Sequence, residues 1–339
     1  GWRAASGVAL SGDPNEPGPR AMHDILTVTL NPTVDLSTAV AHVVPGEKLR
    51  CAPAVTDPGG GGINVARAIR LLGGESRALV ALGGHNGDKL KALLEREGIR
   101  LIPLQAPGET RLSLAVSDDA TGEQYRFVLP GPIWNAAGLK AILAAITTAV
   151  PDEGYVVLSG SVPKGLPDDI ACCIGSKLAK RAARLIVDTS GPALTRLAEG
   201  GESPPFLLRM DRSEARALSG RPLDSRADSV DFAAELVARG VASVVVVARG
   251  SDGSVMAADG LRLHVEAADV PVRSKVGAGD SFLGAFALAL ARGDDLAAAL
   301  QWGAAAASAA VMTDATALCT REDTEALFDR CPVSEIPGP

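Results

Sequence analysis

Short, almost wholly apolar runs recur along the chain at residues 25–30, 77–82, 155–158, 185–188, 206–210 and 244–248, and each predicts a strand. They are continuous rather than alternating, which marks strands buried on both faces. Ala- and Leu-rich stretches of helical spacing lie between them. Regular β–α alternation of this kind predicts a mostly parallel sheet with helices on both faces, a three-layer α/β sandwich. Two stretches break the pattern. Residues 36–57 carry short extended pieces. Residues 112–118 and 123–129 form a hairpin around Asp119-Ala120-Thr121-Gly122, in which Tyr125, Phe127 and Leu129 alternate with Gln124, Arg126 and Val128. Together, segments near 36–57 and 110–130 predict a small β-sheet lid. A second hairpin spans 255–266, and a last Ala-rich helix begins at Asp294.

Two glycine-rich stretches stand out against this frame. Pro58-Gly59-Gly60-Gly61-Gly62-Ile63-Asn64 leads into a helix that ends at Gly73-Gly74, with Ile63, Ala66, Ile69 and Leu72 on one face. Four consecutive glycines cost chain entropy and pack no side chain, which a folded chain tolerates where backbone approaches a ligand closely. The other, Val276-Gly277-Ala278-Gly279-Asp280-Ser281, opens a helix that is apolar all round and therefore buried. Unpaired N–H groups and the helix dipole make such a turn an anion site. Asp280 sets a carboxylate beside it, as phosphoryl transfer to a hydroxyl requires. The same turn is also compatible with a helix start that binds nothing.

Composition narrows the classes. The 339 residues carry a net charge of −7, which argues against nucleic acid or an anionic membrane as partner. Any anion must therefore be met by local Lys and Arg. Five scattered cysteines and four isolated histidines show no zinc-ligand spacing and fit a reducing, cytoplasmic compartment. Residues 1–21, rich in Gly, Pro, Ala and Ser, read as a flexible leader with Met22 a candidate start, and residues 331–339 as a flexible tail. Residues 22–330 remain as one domain. The first strand ends in Asn31-Pro32 with Asp35 beyond it, where ligands of open α/β sheets collect. Asp211 and Glu214 are three apart on a helix start, spaced either to hold Mg²⁺ through water or to satisfy the helix dipole.

The chain resembles the PfkB, ribokinase-like carbohydrate kinases over about residues 24–330. Three motifs carry the likeness: residues 58–67 (PGGGGINVAR), 122–131 (GEQYRFVLPG) and 276–281 (VGAGDS); Asn31-Pro-x-x-Asp35 and Ser159-Gly160-Ser161 add to it. The resemblance implies a ribokinase-like sandwich with a β-lid that mediates homodimers, and MgATP-dependent phosphorylation of a sugar hydroxyl. It makes Asp280 the general base and Gly277, Ala278 and Gly279 the anion hole. Asp35, Gly60, Gly61 and Asn64 would hold sugar hydroxyls. Lys48, Arg111, Arg126 and Ser161 would engage the sugar's own phosphate or the lid around it. Arg209, Asp211, Ala248, Gly250, Gly253 and Lys275 would fall on the nucleotide side, with Glu214 and Asp211 toward Mg²⁺.

Departures from the family pattern gather on that nucleotide side. Arg209-Met210-Asp211 stands where the family has Lys-Pro-Asn, Ala248 where it has Ser, and residues 313–316 (TDAT) where it has Asn-x-Gly-Thr. Superfamily members often hold a monovalent cation beside the anion-hole turn. Lys275, in place of a small hydroxyl residue, either substitutes for that cation or points to solvent. The implied substrate is fructose 6-phosphate. The alternatives are a 1-phosphofructokinase or tagatose-6-phosphate kinase, which usually carry Gly-Gly-Lys-Gly at 59–62, and a sugar-phosphate sensor with impaired ATP use. No glycine fingerprint of a dinucleotide-dependent oxidoreductase follows the first strand.

Overall fold

The computed structural model describes residues 22–338 except Ala315, so the leader at 1–21 and one residue of the 313–316 loop lie outside the described residues. In chain order, β1 (Asp24–Thr29) is followed by β2 (Thr33–Val40), β3 (Val55–Gly59) and α1 (Gly61–Leu71). Then come β4 (Arg77–Leu82), α2 (Gly84–Arg96), β5 (Arg100–Gln105), β6 (Arg111–Asp118), β7 (Gln124–Val128) and α3 (Ala136–Ala149). The alternating part holds β8 (Glu153–Ser159), α4 (Ile170–Leu178), β9 (Ala182–Asp188), α5 (Gly191–Ala198), β10 (Leu207–Asp211), α6 (Arg212–Ser219), α7 (Arg226–Ala238) and β11 (Val244–Ala248). The chain closes with β12 (Ser254–Ala258), β13 (Leu261–Val265), α8 (Ala278–Arg292), α9 (Leu296–Val311), α10 (Arg321–Leu327) and β14 (Val333–Glu335).

Ten strands form the main sheet in the order β14-β13-β12-β11-β10-β9-β8-β1-β4-β5, parallel from β11 to β5 and antiparallel at the other edge. Successive residues of each inner strand face opposite layers. Leu26, Val28, Leu158 and Val187 pack with Ile142, Ile174 and Leu236 of the helices on one side. Ile25, Val157, Ile186 and Val246 pack with Val65, Ile69, Phe286 and Ala306 on the other. Both faces are dry, as continuous apolar runs require. The expected three-layer α/β sandwich is what forms.

The small sheet runs β3-β2-β6-β7, built from the segments that predict a lid, and its β2 follows closely on the carboxyl end of β1. Asp35 lies inside β2 rather than in a loop after the turn, and faces Asp57 across the β2–β3 ladder. Two stretches differ from the sequence reading. The apolar-run reading does not find β5, because Pro103 and polar ends disguise it; proline is tolerated there because β5 is an edge strand. The tail at 331–339 is not wholly flexible: Val333–Glu335 pairs with β13 and Cys331 is fully buried. Its prolines and short length gave a disordered composition that edge pairing overrides.

The helices α1 and α8 approach very closely. A Cβ added at Gly284 would lie 2.8 Å from Ala68 Cβ and 3.1 Å from the Val65 carbonyl oxygen. Gly284→Ala would normally help a helix by about 1 kcal/mol. Here it overpacks a contact between two helices, so we expect a net loss of about 1–3 kcal/mol, read as a lower urea midpoint. A midpoint that rises would show that the two helices can part without cost.

Candidate active site

The four glycines at 59–62 are explained by protein, not only by a ligand. A Cβ at Gly59 would meet Asp35 Oδ2, at Gly61 Ser159 Oγ, and at Gly62 Thr29 Oγ1 and the Val28 carbonyl. Gly60 also sits at φ +121, a region that side chains rarely adopt. These glycines let the start of α1 press between β1, β2 and the end of β8. As a result the first turn of α1 reaches the Ser159-Gly160-Ser161 bend.

Asn64 lies in that first turn. Its Nδ2 donates to Asp280 Oδ2 at 2.9 Å, which sets the starts of α1 and α8 side by side. Gly277 caps α8 in the left-handed region at φ 77, and a Cβ there would meet Leu318. Gly277, Ala278 and Gly279 are all partly accessible, with the amino end of α8 behind them. Asp280 keeps a partly accessible edge, yet protein encloses its carboxyl, and burial pushes its pKa up to about 7. The Asn64 hydrogen bond opposes the rise, the Asp188 carboxylate adds to it, and the Arg209 and Arg67 guanidinium groups oppose it.

On the β1 side, Asn31 Nδ2 donates to Ser161 Oγ at 2.9 Å and Arg111 Nη2 donates to the Asn31 carbonyl oxygen at 3.0 Å. Burial raises the Asp35 carboxyl above its ordinary range, while a Thr33 hydrogen bond and the charges of Arg126 and Arg111 act the other way. Burial also lowers the Arg111 guanidinium. Asn31 Oδ1, Asp35 Oδ1 and Arg111 Nε are buried without a protein partner. Leaving such atoms unpaired costs about 1–3 kcal/mol each, which a polyhydroxylated, anionic ligand would offset. Asp35, Arg111, Ser161, Gly60 and Gly61 are therefore brought together, with Arg126 reaching in from the exposed β7. Lys48 is not: it is exposed on the β2–β3 connection and makes no hydrogen bond or ion pair among the described residues.

The residues expected on the nucleotide side lie within β10, at the end of β11 and in the segments that follow. Arg209 donates to Asp188 Oδ2 at 2.6 Å, lies 5.3 Å from the Phe282 ring centroid, and stands against Gly279. Ala248 is half-buried at the end of β11. Gly250 has φ +65 with open space where a Cβ would be, whereas Gly253 is needed because a Cβ would strike the Val265 carbonyl. Just before Gly250, Arg249 is buried and holds Asp252, Ser229 and two backbone carbonyls, a structural role its sequence position did not reveal. Lys275 is exposed and makes no hydrogen bond or ion pair among the described residues.

Asp211 and Glu214 form a reciprocal capping box on α6, each side chain accepting from the other's backbone N–H at 2.8 Å. Burial raises the Glu214 carboxyl, and the carboxylates of Asp211 and Asp188 add to the rise. This gathering of negative charge fits a divalent cation held largely through water. No three His, Cys, Asp or Glu side chains converge on one point among the described residues. Sequence reasoning gave no role to Arg67, Asp188 or Asp57. Asp57 accepts from Thr316 Oγ1 at 2.6 Å and so ties the lid to the α9–α10 loop.

Because the folded Asp280 binds its proton more tightly than an unfolded Asp, its ionisation lowers stability as pH rises from the unfolded value of about 4 toward 7. Asp280→Asn removes that penalty. The melting-temperature gain of the variant over the parent should widen across this window and then level off. A gain that is flat with pH would mean that Asp280 titrates normally.

Comparison with known proteins agrees with this geometry. Residues 26–323 match the family described as pfkB family carbohydrate kinase. The chain is 39% identical to the ATP-dependent 6-phosphofructokinase isozyme 2 of Mycobacterium tuberculosis, over 90% of this chain and 89% of that protein. It is 32% identical to a 1-phosphofructokinase of Xanthomonas campestris, over 78% of this chain and 83% of that one. The crystal structure of phosphofructokinase-2 from Escherichia coli in complex with potassium superposes with a TM-score of 0.84 at 37% identity, covering 91% of this chain and 99% of that chain. With a match across nearly the whole fold and a carboxylate set at a glycine-rich helix start, the chain belongs to the pfkB family of carbohydrate kinases and is a sugar-phosphate kinase.

Proposed function

We propose that the chain transfers the γ-phosphoryl group of ATP to the 1-hydroxyl of fructose 6-phosphate, with Asp280 as general base. The observation that carries the reading is the Asp280 carboxyl: enclosed, pushed up to about 7, and seated in the first turn of α8 behind the Gly277–Gly279 turn. A base with such a pKa accepts a hydroxyl proton near neutral pH. The N–H groups of Gly277, Ala278 and Gly279 face the charge that builds on the phosphoryl oxygens.

The buried polar set around β1 serves the sugar. Asp35, Asn64, Gly60 and Gly61 take its hydroxyls. Arg111, Arg126 and Ser161 take the 6-phosphate, for which two arginines facing one carboxylate supply the charge. Lys48, exposed on the β2–β3 connection, is not part of that set. Arg209, Ala248, Gly250 and Gly253 border the nucleotide. Glu214 and Asp211 would hold Mg²⁺ through water, and the ion would supply positive charge to the phosphates. A monovalent cation beside the turn would be in line with the potassium complex of the Escherichia coli enzyme.

The lid supports a homodimer. Phe127, Leu129 and Val55 are each more than half exposed on or beside the small sheet, a burden for a lone subunit. An acidic chain with free cysteines, and no described helix long and apolar enough to cross a membrane, is compatible with the cytoplasm.

The reading is tested by coupled ADP release over fructose 6-phosphate, fructose 1-phosphate and tagatose 6-phosphate. Fructose 6-phosphate should give the highest kcat/KM. Preference for fructose 1-phosphate would move the chain to the 1-phosphofructokinases, and a thermal shift with fructose 6-phosphate but no ADP would make it a sensor. Asp280→Asn should lower kcat by about 10²–10⁴ with little change in KM. Arg111→Ala should raise the KM for fructose 6-phosphate roughly ten- to a hundred-fold and barely move that for ATP. Equal losses for both substrates would reduce Arg111 to a structural residue.

A further inference from the structure

Arg67 follows Asn64 by one turn of α1. Its Nη1 donates to Asn64 Oδ1 at 3.3 Å, and its Nε donates to Glu97 Oε2 at 2.6 Å. The Arg67 side chain is only 12% exposed, so this seat is fixed by packing as well as by charge. Asn64 thus has one end of its amide toward Arg67 and the other toward Asp280. The two ends are not equivalent. A guanidinium only donates, so the end facing Arg67 must be the carbonyl oxygen. The NH₂ then faces Asp280, and an NH₂ only donates as well. It can bond a carboxylate, but it offers nothing to the O–H of a carboxylic acid.

We propose that Arg67, seated on Glu97, is a positioning residue that locks the Asn64 amide in the one orientation that favours the base form of Asp280. Without the guanidinium the amide is free to turn over. Its carbonyl then accepts a hydrogen bond from a protonated Asp280, and the acid form gains the partner it lacks. The other charges facing Asp280 are the Asp188 carboxylate from β9 and the Arg209 guanidinium from β10. Those two are paired with each other at 2.6 Å and largely offset one another. Arg67 acts both through its own charge and through the amide it orients.

The inference rests on Asp280 as general base, and the experiment separates the two. Carbon-13 carboxyl NMR of the ligand-free protein follows the Asp280 titration directly. The pH profile of kcat/KM for fructose 6-phosphate follows its use. In Arg67→Met the Asp280 titration should move up by about one unit, a tenfold change in proton affinity. The acid limb of kcat/KM should move with it, so that the deficit shrinks as pH rises. Arg67→Lys, also donor-only, should recover part of the shift. Glu97→Gln, which loosens the seat while keeping Arg67, should shift the titration the same way by less, and it stands in if Arg67→Met does not fold. An Asp280 titration unmoved in these variants overturns the proposal. A titration that moves while the kcat/KM limb stays put upholds the positioning role and removes Asp280 as the base.

Discussion

The contact between α1 and α8 is the constraint on which the site depends. Gly284 removes the side chain that would hold these helices apart, and Ala68 and the Val65 carbonyl fill the space. Only at that separation does Asn64 on one helix reach Asp280 on the other at 2.9 Å. The same economy operates at the start of α1, where Gly59 to Gly62 let backbone touch Asp35, Thr29, Ser159 and Val28. Two helix starts, each carrying partial positive charge, are thereby set at one place at the carboxyl ends of the central strands.

In this acidic protein the positive charge gathered at the site is carried mainly by arginines. Arg67 is held by Glu97, Arg209 by Asp188, and Arg111 and Arg126 act on Asp35. The Arg67 and Arg209 guanidinium groups are each kept in place by a carboxylate that also restrains the long side chain, and Arg111 is held by the Asn31 carbonyl. The positive field is therefore local and ordered, while the molecule as a whole stays negative.

Much of this was legible in the sequence. Continuous apolar runs gave β4 and β11 to the residue, because burial on both faces leaves no other pattern. The Gly-x-Gly-Asp turn and the glycine run marked the two helix starts. Pairing decided what composition could not: β5 is hidden by Pro103, and β14 by its length and the flanking prolines. The spacing of Asp211 and Glu214 left both metal binding and a helix-start role open, and the reciprocal bonds appear only in three dimensions. Arg67 sits inside a conspicuous motif, yet its use depends on Glu97, 30 residues away, and on which end of an amide it faces.

The hydrogen bond between Asn64 and Asp280 joins residues 216 apart in the chain. Strand β1, at the heart of the sheet, and α1 beside it leave the ribosome early, whereas α8 follows most of the sandwich. Until α8 emerges, Val65, Ala68 and Ile69 present an uncovered apolar stripe. Contacts of such long range make for slow completion and a sticky intermediate. The nascent chain is therefore most in need of protection during the interval before residue 278 is made. Fragments cut short of α8 should gather in aggregates rather than persist as soluble half-enzymes.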